Sequence, residues 1–130
     1  MGARQIDEME PRLREVYEGV NGPDDPPTLC CTLEAKTLSG SGVWIQVMPG
    51  TVNMSYPPTE EPLECLRGRG IGRPAGFYLV EWAAGEFATF GFDDIPARAH
   101  ASFVDELFVK VLGCDDAGYE PKASMERLET

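Results

Sequence analysis

The spacing of hydrophobic positions changes along the chain from a helical period to a strand period. Apolar side chains recur every three or four residues through the first twenty positions, which predicts an amphipathic helix over 4–19. Pro11 lies inside this segment and would remove a helical hydrogen bond, so we expect the helix to begin or kink there. After a turn-forming stretch at 21–27, apolar and polar residues alternate over 29–36, which predicts a half-buried strand.

Similar patterns predict six more elements. These are strands over 43–48, 51–56, 77–82 and 87–92, a short helix capped by Thr59, and a final helix from Asp93 to Gly113. Pro49-Gly50 suits the centre of a type II turn between two of the strands, because proline fixes φ and glycine allows a positive φ.

The order of these elements is α-β-β-β-α-β-β-α, and only the short helix could provide a crossover between parallel strands. The sequence therefore predicts an α+β fold over 1–114, with a single, mostly antiparallel five-stranded sheet and helices on one face. Residues 115–130 are acidic and weakly patterned, which predicts a partly ordered C-terminal tail.

Aromatic and aliphatic residues occupy both sides of the predicted central strands. A sheet covered on one side should be polar on the other, so we expect a second subunit, a bound peptide or the tail to cover the second face. Alternatively, the rings fill one deep core on a single side of the sheet. The aromatic residues that we predict to contact a partner are Trp44, Tyr78, Trp82, Phe90 and Phe108.

Composition narrows the class of partner. The 130 residues include 11 basic and 22 acidic side chains, a net charge of −11, which argues against a nucleic acid or an anionic membrane. No apolar run approaches the length of a membrane-spanning helix.

The cysteine and histidine pattern suggests no catalytic or metal centre. The four cysteines show no Cys-x-x-Cys spacing, and His100 is the only histidine, so we predict no metal, no cofactor and no enzymatic activity. Reduced structural thiols in a cytoplasmic protein fit this usage best. Cys114 follows the last helix, where the helix dipole should raise its thiol pKa.

Three arginines lie in a glycine-rich stretch after the short helix, at Arg67, Arg69 and Arg73. No strand precedes this stretch and Pro74 prevents a helix from opening there, so it is not a dinucleotide-binding loop. Arginine side chains and glycine amides could still bind a small anion. The simpler interpretation is a solvated connection whose glycines end the helix.

The element order over 4–114 resembles the type III secretion chaperone fold and the related YbjN-type domains. The resemblance rests on Val-Trp-Ile-Gln-Val at 43–47 as the central strand, the aromatic hairpin at 77–92, and Phe-Val-Asp-Glu-Leu-Phe at 103–108 on the closing helix. It implies a non-enzymatic domain, commonly dimeric, that binds an extended segment of another protein along exposed apolar grooves.

Three functional hypotheses follow from the sequence. The first is a chaperone-like, peptide- or protein-binding module that works as a homodimer. The second is a small anionic-ligand sensor or enzyme that uses the loop from Arg67 to Arg73. The third is a structural subunit with one permanent partner.

Overall fold

The protein folds around one sheet with its helices packed mainly against a single face. The structure, a computed structural model, describes residues 3–18, 28–48, 50–93, 95–116 and 118–128. The helices are α1 (Ala3–Glu18), α2 (Pro62–Gly68) and α3 (Ala97–Glu106), and the last continues as a π-helical segment over Leu107–Val111. The strands are β1 (Thr28–Lys36), β2 (Gly42–Met48), β3 (Thr51–Ser55), β4 (Tyr78–Ala83), β5 (Phe87–Gly91) and β6 (Lys122–Leu128).

All strand pairs are antiparallel, in the order β4-β5-β3-β2-β1-β6. The predicted α+β class, antiparallel sheet and three helices are confirmed, but the sheet has six strands rather than five. The sixth lies in the predicted tail and pairs with β1 along its whole length, from Thr28 opposite Leu128 to Glu34 opposite Lys122. An edge strand needs few apolar residues, so its sequence pattern is weak.

Helix α1 runs through Pro11 without ending. Its buried residues Gln5, Met9, Leu13 and Val16 follow one stripe on both sides of the proline, and this stripe fixes the helix against the core. Pro11 itself is exposed, so water can bond to the carbonyl group that loses its amide donor. The expectation that the helix begins at this residue was therefore wrong, because α1 already starts at Ala3.

Some predicted details fall partly outside the described residues. These include the whole 21–27 turn, Pro49 and Asp94, whereas Gly50 has the positive φ of 66° that the turn after Met48 requires. Helix α2 is capped by Glu61 rather than Thr59, because the Glu61 carboxylate accepts hydrogen bonds from the Leu63 and Glu64 amides. Helix α3 begins after Pro96 and has no side-chain cap.

A buried polar cluster ties the C-terminal segment to two helices. The Tyr119 hydroxyl donates to the Asp105 carboxylate of α3 over 2.6 Å, and the Tyr119 carbonyl accepts from the Gln5 side-chain amide of α1 over 3.1 Å. Burial raises the pKa of Asp105 and, together with this hydrogen bond, that of Tyr119. Tyr119 also packs on the ring of Phe108, so it fixes the chain immediately before β6.

Candidate functional site

The open face of the sheet carries a polar row that crosses all six strands. The cross-strand partners in this row are Ser124, Thr32, Gln46, Asn53, Thr89 and Glu81. In its centre, the Asn53 amide donates to Gln46 Oε1 over 3.0 Å, and the Thr89 hydroxyl donates to Asn53 Oδ1 over 2.8 Å. The middle of the open face is therefore polar, so the apolar character predicted for both faces of the central strands does not extend across it.

Apolar groups flank the polar row without covering it. Trp44 and Phe87 lie half-buried on one side of the row, and Met48 lies half-buried on the other. The Ser55 hydroxyl accepts a hydrogen bond from the Trp44 amide over 3.0 Å and donates one to the Trp44 carbonyl over 3.1 Å. The main chain of Trp44 is thus held in place, and the residue remains partly accessible.

The outer strand β4 presents two exposed apolar side chains. Tyr78 is 58% exposed and Val80 is 54% exposed. A register shift between Leu79 and Glu81 breaks the regular alternation, so Val80 has no partner residue on β5. The Tyr78 ring lies directly over Gly91, where an added Cβ would come within 2.4 Å of the ring.

The outer edge of β4 is free, while backbone hydrogen bonds hold the turn after β4 in place. Beyond the turn that leaves β4, the Gly85 amide donates to the Pro58 carbonyl over 3.1 Å, and the Tyr56 amide donates to the Glu86 carbonyl over 3.0 Å. Among the described residues, no strand pairs with the outer edge of β4. This edge therefore offers unpaired backbone groups in a fixed orientation.

The five predicted contact residues differ in their exposure to solvent. Tyr78 is exposed, and Trp44 is accessible in part. Trp82 lies opposite buried Ala88 on the inner face and meets the ring of Tyr56 edge-on, with ring centroids 6.1 Å apart.

Phe90 and Phe108 are fully buried, so neither can contact a partner in this conformation, and their assignment is corrected to the core. Phe90 stacks on Phe77 at 5.0 Å, and Phe77 in turn meets Phe103 of α3 edge-on at 5.7 Å. Most rings therefore fill one deep core on a single side of the sheet, as the alternative interpretation held.

Two large apolar residues that are exposed in the described part of the chain were not among the predicted contacts. Val80 was missed because only aromatic residues were chosen, although alternation places it on one face with Tyr78 and Trp82. Leu38, 77% exposed in the turn after β1, contributes with Trp44 to a cavity of about 810 Å³ that also has polar walls. A turn residue has no periodic pattern that could have indicated this position.

The glycine-rich loop forms the C-terminal stop of α2. Gly70 has a φ of 70° and donates its amide to the Arg67 carbonyl, while the Ile71 amide donates to the Leu66 carbonyl over 3.0 Å. This pair of bonds is the Schellman motif, which a left-handed glycine makes possible. The amides that an anion would need at Gly70 and Ile71 are thus already bonded.

The three loop arginines have separate surroundings. Arg67 forms an exposed ion pair with Glu64. Arg69 donates to the Lys110 carbonyl over 2.8 Å and to the Cys65 sulfur over 3.1 Å, which links α2 to the π-helical segment. Arg73 lines a separate cavity of about 200 Å³ with Phe103 and other residues.

These contacts predict a structural effect for Arg69 and almost none for Arg67. Arg69→Ala should lower the free energy of unfolding by about 1 kcal/mol, because it removes a charged donor from the Lys110 carbonyl. Arg67→Ala, the matched control, should cost less than about 0.5 kcal/mol because its ion pair is exposed. Urea unfolding of both variants measures the difference.

An anion site would give a different result. Phosphate would then raise the melting temperature of the wild-type chain, and the combined change of Arg67, Arg69 and Arg73 to alanine would abolish that increase. We expect phosphate to give no such increase.

The cysteines and the histidine are buried. All four cysteines are buried, and burial raises the pKa of both Cys31 and Cys114 to about 11. The raised pKa predicted for Cys114 is confirmed, although its cause is desolvation rather than the helix dipole. Burial also lowers the pKa of His100 to about 4. At neutral pH the thiols of Cys31 and Cys114 are therefore protonated, and the imidazole of His100 is uncharged.

Among the described residues, no cluster of three or more His, Cys, Asp or Glu side chains could hold a metal ion. In that same part of the chain, no helix combines the length and the apolarity that crossing a bilayer demands. Comparisons with protein-family models, curated proteins and solved structures gave no match for this chain.

Proposed function

We propose that this protein is a non-enzymatic, chaperone-like module that binds an extended segment of another protein at the outer edge of β4. One observation carries the proposal: a fixed edge strand exposes Tyr78 and Val80 beside unpaired backbone groups. Edges of this kind attract a further strand, because backbone hydrogen bonds supply affinity and neighbouring side chains supply specificity.

The preferred partner segment is basic and in part apolar. The chain has a net charge of −11, and Glu81 lies exposed in β4 itself. An incoming strand with alternating apolar and basic residues would cover Tyr78 and Val80 while placing its cations near the acidic surface. The accessible ring of Trp44 extends the same open face farther from the edge.

The module would work in a reducing compartment, the cytoplasm. It would act there as a homodimer. Four buried thiols fit such a compartment. In a homodimer, the open face or a β4 edge of one copy would lie against its partner, and native mass spectrometry would give a mass of twice the chain. A monomer at micromolar concentration would contradict the homodimer while leaving peptide binding to its own test.

Binding should depend on the two exposed β4 side chains. A peptide selected from a random library against the wild-type chain should bind the double variant Tyr78→Ala, Val80→Ser at least about tenfold more weakly, because both apolar contacts are reduced. The melting temperature should change little, because both residues are more than half exposed. Fluorescence anisotropy of the labelled peptide measures the affinity.

Leu38→Ser is the matched control, because Leu38 is, among the residues whose burial is described, the remaining large apolar residue with a mostly exposed side chain. It should leave the affinity unchanged. The proposal would be wrong if no peptide can be selected, if the double variant binds as well as the wild type, or if Leu38→Ser alone removes binding.

A further inference from the structure

The first half of strand β6 is attached to the sheet mainly through its backbone. The seven residues of β6 pair with β1, yet the side chains of Lys122, Ala123 and Ser124 are exposed and Met125 is only half-buried. Over 122–125, few apolar contacts therefore add to the hydrogen-bond ladder, and an edge strand held in this way is among the easier parts of a fold to open.

A cavity of about 560 Å³ lies beneath this strand, between β6 and α1. The residues that line it include Met9, Pro11 and Arg12 of α1, Leu33 of β1, and Ala123. Ala123 lies opposite Leu33, so its side chain is on the inner face of the sheet. A single methyl group leaves most of this space unfilled.

We infer that the β1 edge and helix α1 form an acceptor groove for an extended segment of another protein, and that β6 is the intramolecular occupant which this segment displaces. The partner segment is a strand antiparallel to β1 with a bulky aliphatic side chain at the place of Ala123. Its outward positions are polar, as Lys122 and Ser124 are in β6. This groove lies at the opposite edge of the sheet from β4, so the inference does not depend on the function proposed above.

Only the part of the chain after Tyr119 is displaced when the partner segment binds. Its hydroxyl and carbonyl are bonded to Asp105 and Gln5, so the chain stays attached up to this residue while β6 leaves. Because β6 remains tethered, it competes at an effective concentration in the millimolar range. A partner must therefore gain affinity that β6 lacks, and a side chain that fills the cavity beside Leu33 provides it.

Synthetic peptides test this inference on the full chain. One peptide has the sequence of residues 120–128, the second carries Ala123→Leu, and the control carries Ser124→Leu, which places the same aliphatic group on the outer face. The Ala123→Leu peptide should bind at least about tenfold more tightly than the other two in fluorescence anisotropy. Amide hydrogen exchange of the chain's own β6 should become faster when that peptide binds.

The same substitution in the full chain gives the reciprocal result. The Ala123→Leu protein should have a higher melting temperature than the wild type, because its own β6 then fills the cavity, and should bind the Ala123→Leu peptide about tenfold more weakly. Equal affinity of the three peptides, or unchanged exchange of β6, would overturn the inference.

Binding at the wrong edge would also overturn it. If the Tyr78→Ala, Val80→Ser double variant loses the Ala123→Leu peptide, then the peptide adds to β4. That result would support the proposed function and reject the groove. Unchanged binding to this double variant is the result that the inference requires.

Discussion

Phe90→Ala is expected to lower the free energy of unfolding by about 3–5 kcal/mol, the range typical of a phenylalanine removed from a closed core. Phe90 is fully buried on the inner face of β5, between Val52 and Leu79 on the neighbouring strands, and its ring stacks on Phe77. Neighbouring rings cannot all move into the space that it leaves. Urea unfolding monitored by tryptophan fluorescence measures the loss.

Tyr78→Ala is the matched control, because Tyr78 is an aromatic residue of the adjacent strand whose ring is mostly exposed. We expect it to cost less than about 1 kcal/mol. A small loss of stability for Phe90→Ala, together with a loss of partner binding, would instead return Phe90 to the set of contact residues.

Mild acid is expected to destabilise the fold through His100. Burial lowers the pKa of His100 from 6.5 to about 4, so the unfolded chain takes up a proton at a higher pH than the folded chain. His100 does not change the free energy of unfolding above pH 6.5. Its destabilising effect grows as the pH falls from 6.5 to about 4. The full effect is about 3 kcal/mol, since each pKa unit corresponds to 1.36 kcal/mol.

The variant His100→Gln isolates this contribution, because glutamine does not titrate. The free energy of unfolding should fall less steeply between pH 6.5 and 4 in the variant than in the wild type. Asp105, whose raised pKa acts in the opposite direction, is present in both proteins and does not affect the comparison. Parallel pH profiles would show that His100 already accepts a proton in the folded state.

Periodicity predicted the fold well where one face of an element is buried. The alternation over β2 and β3 matches their burial, because inner positions such as Val43, Ile45 and Val47 all lie in the core. The apolar stripe of α3 likewise fills the space beneath the sheet. In these elements a single period determines which side chains are inside.

Prediction was less successful where contacts distant in sequence decide the structure. Strand β6 has little apolar content, and its existence depends on the free edge of β1. Pro11 stays helical because a long buried stripe outweighs one lost hydrogen bond. Phe90 and Phe108 were predicted to contact a partner, because the apolar pattern of a strand or a helix does not show how deep a core extends.

The candidate site was predicted in part. Tyr78 and Trp44 were identified from the aromatic pattern, whereas Val80 depends on a bulge that the sequence does not show. The polar row was missed because Gln46, Asn53 and Thr89 lie far apart in the chain and come together only through strand register.

The hydrogen bond between Gln5 and Tyr119 has a consequence for synthesis on the ribosome. These residues are separated by 114 positions, and α1 also packs on α3, so α1 is synthesised well before the partners that complete its burial. Until then, Met9, Leu13 and Val16 form an apolar stripe that α3 and Tyr119 do not yet help to cover. A ribosome stalled before residue 119 therefore leaves this stripe incompletely buried.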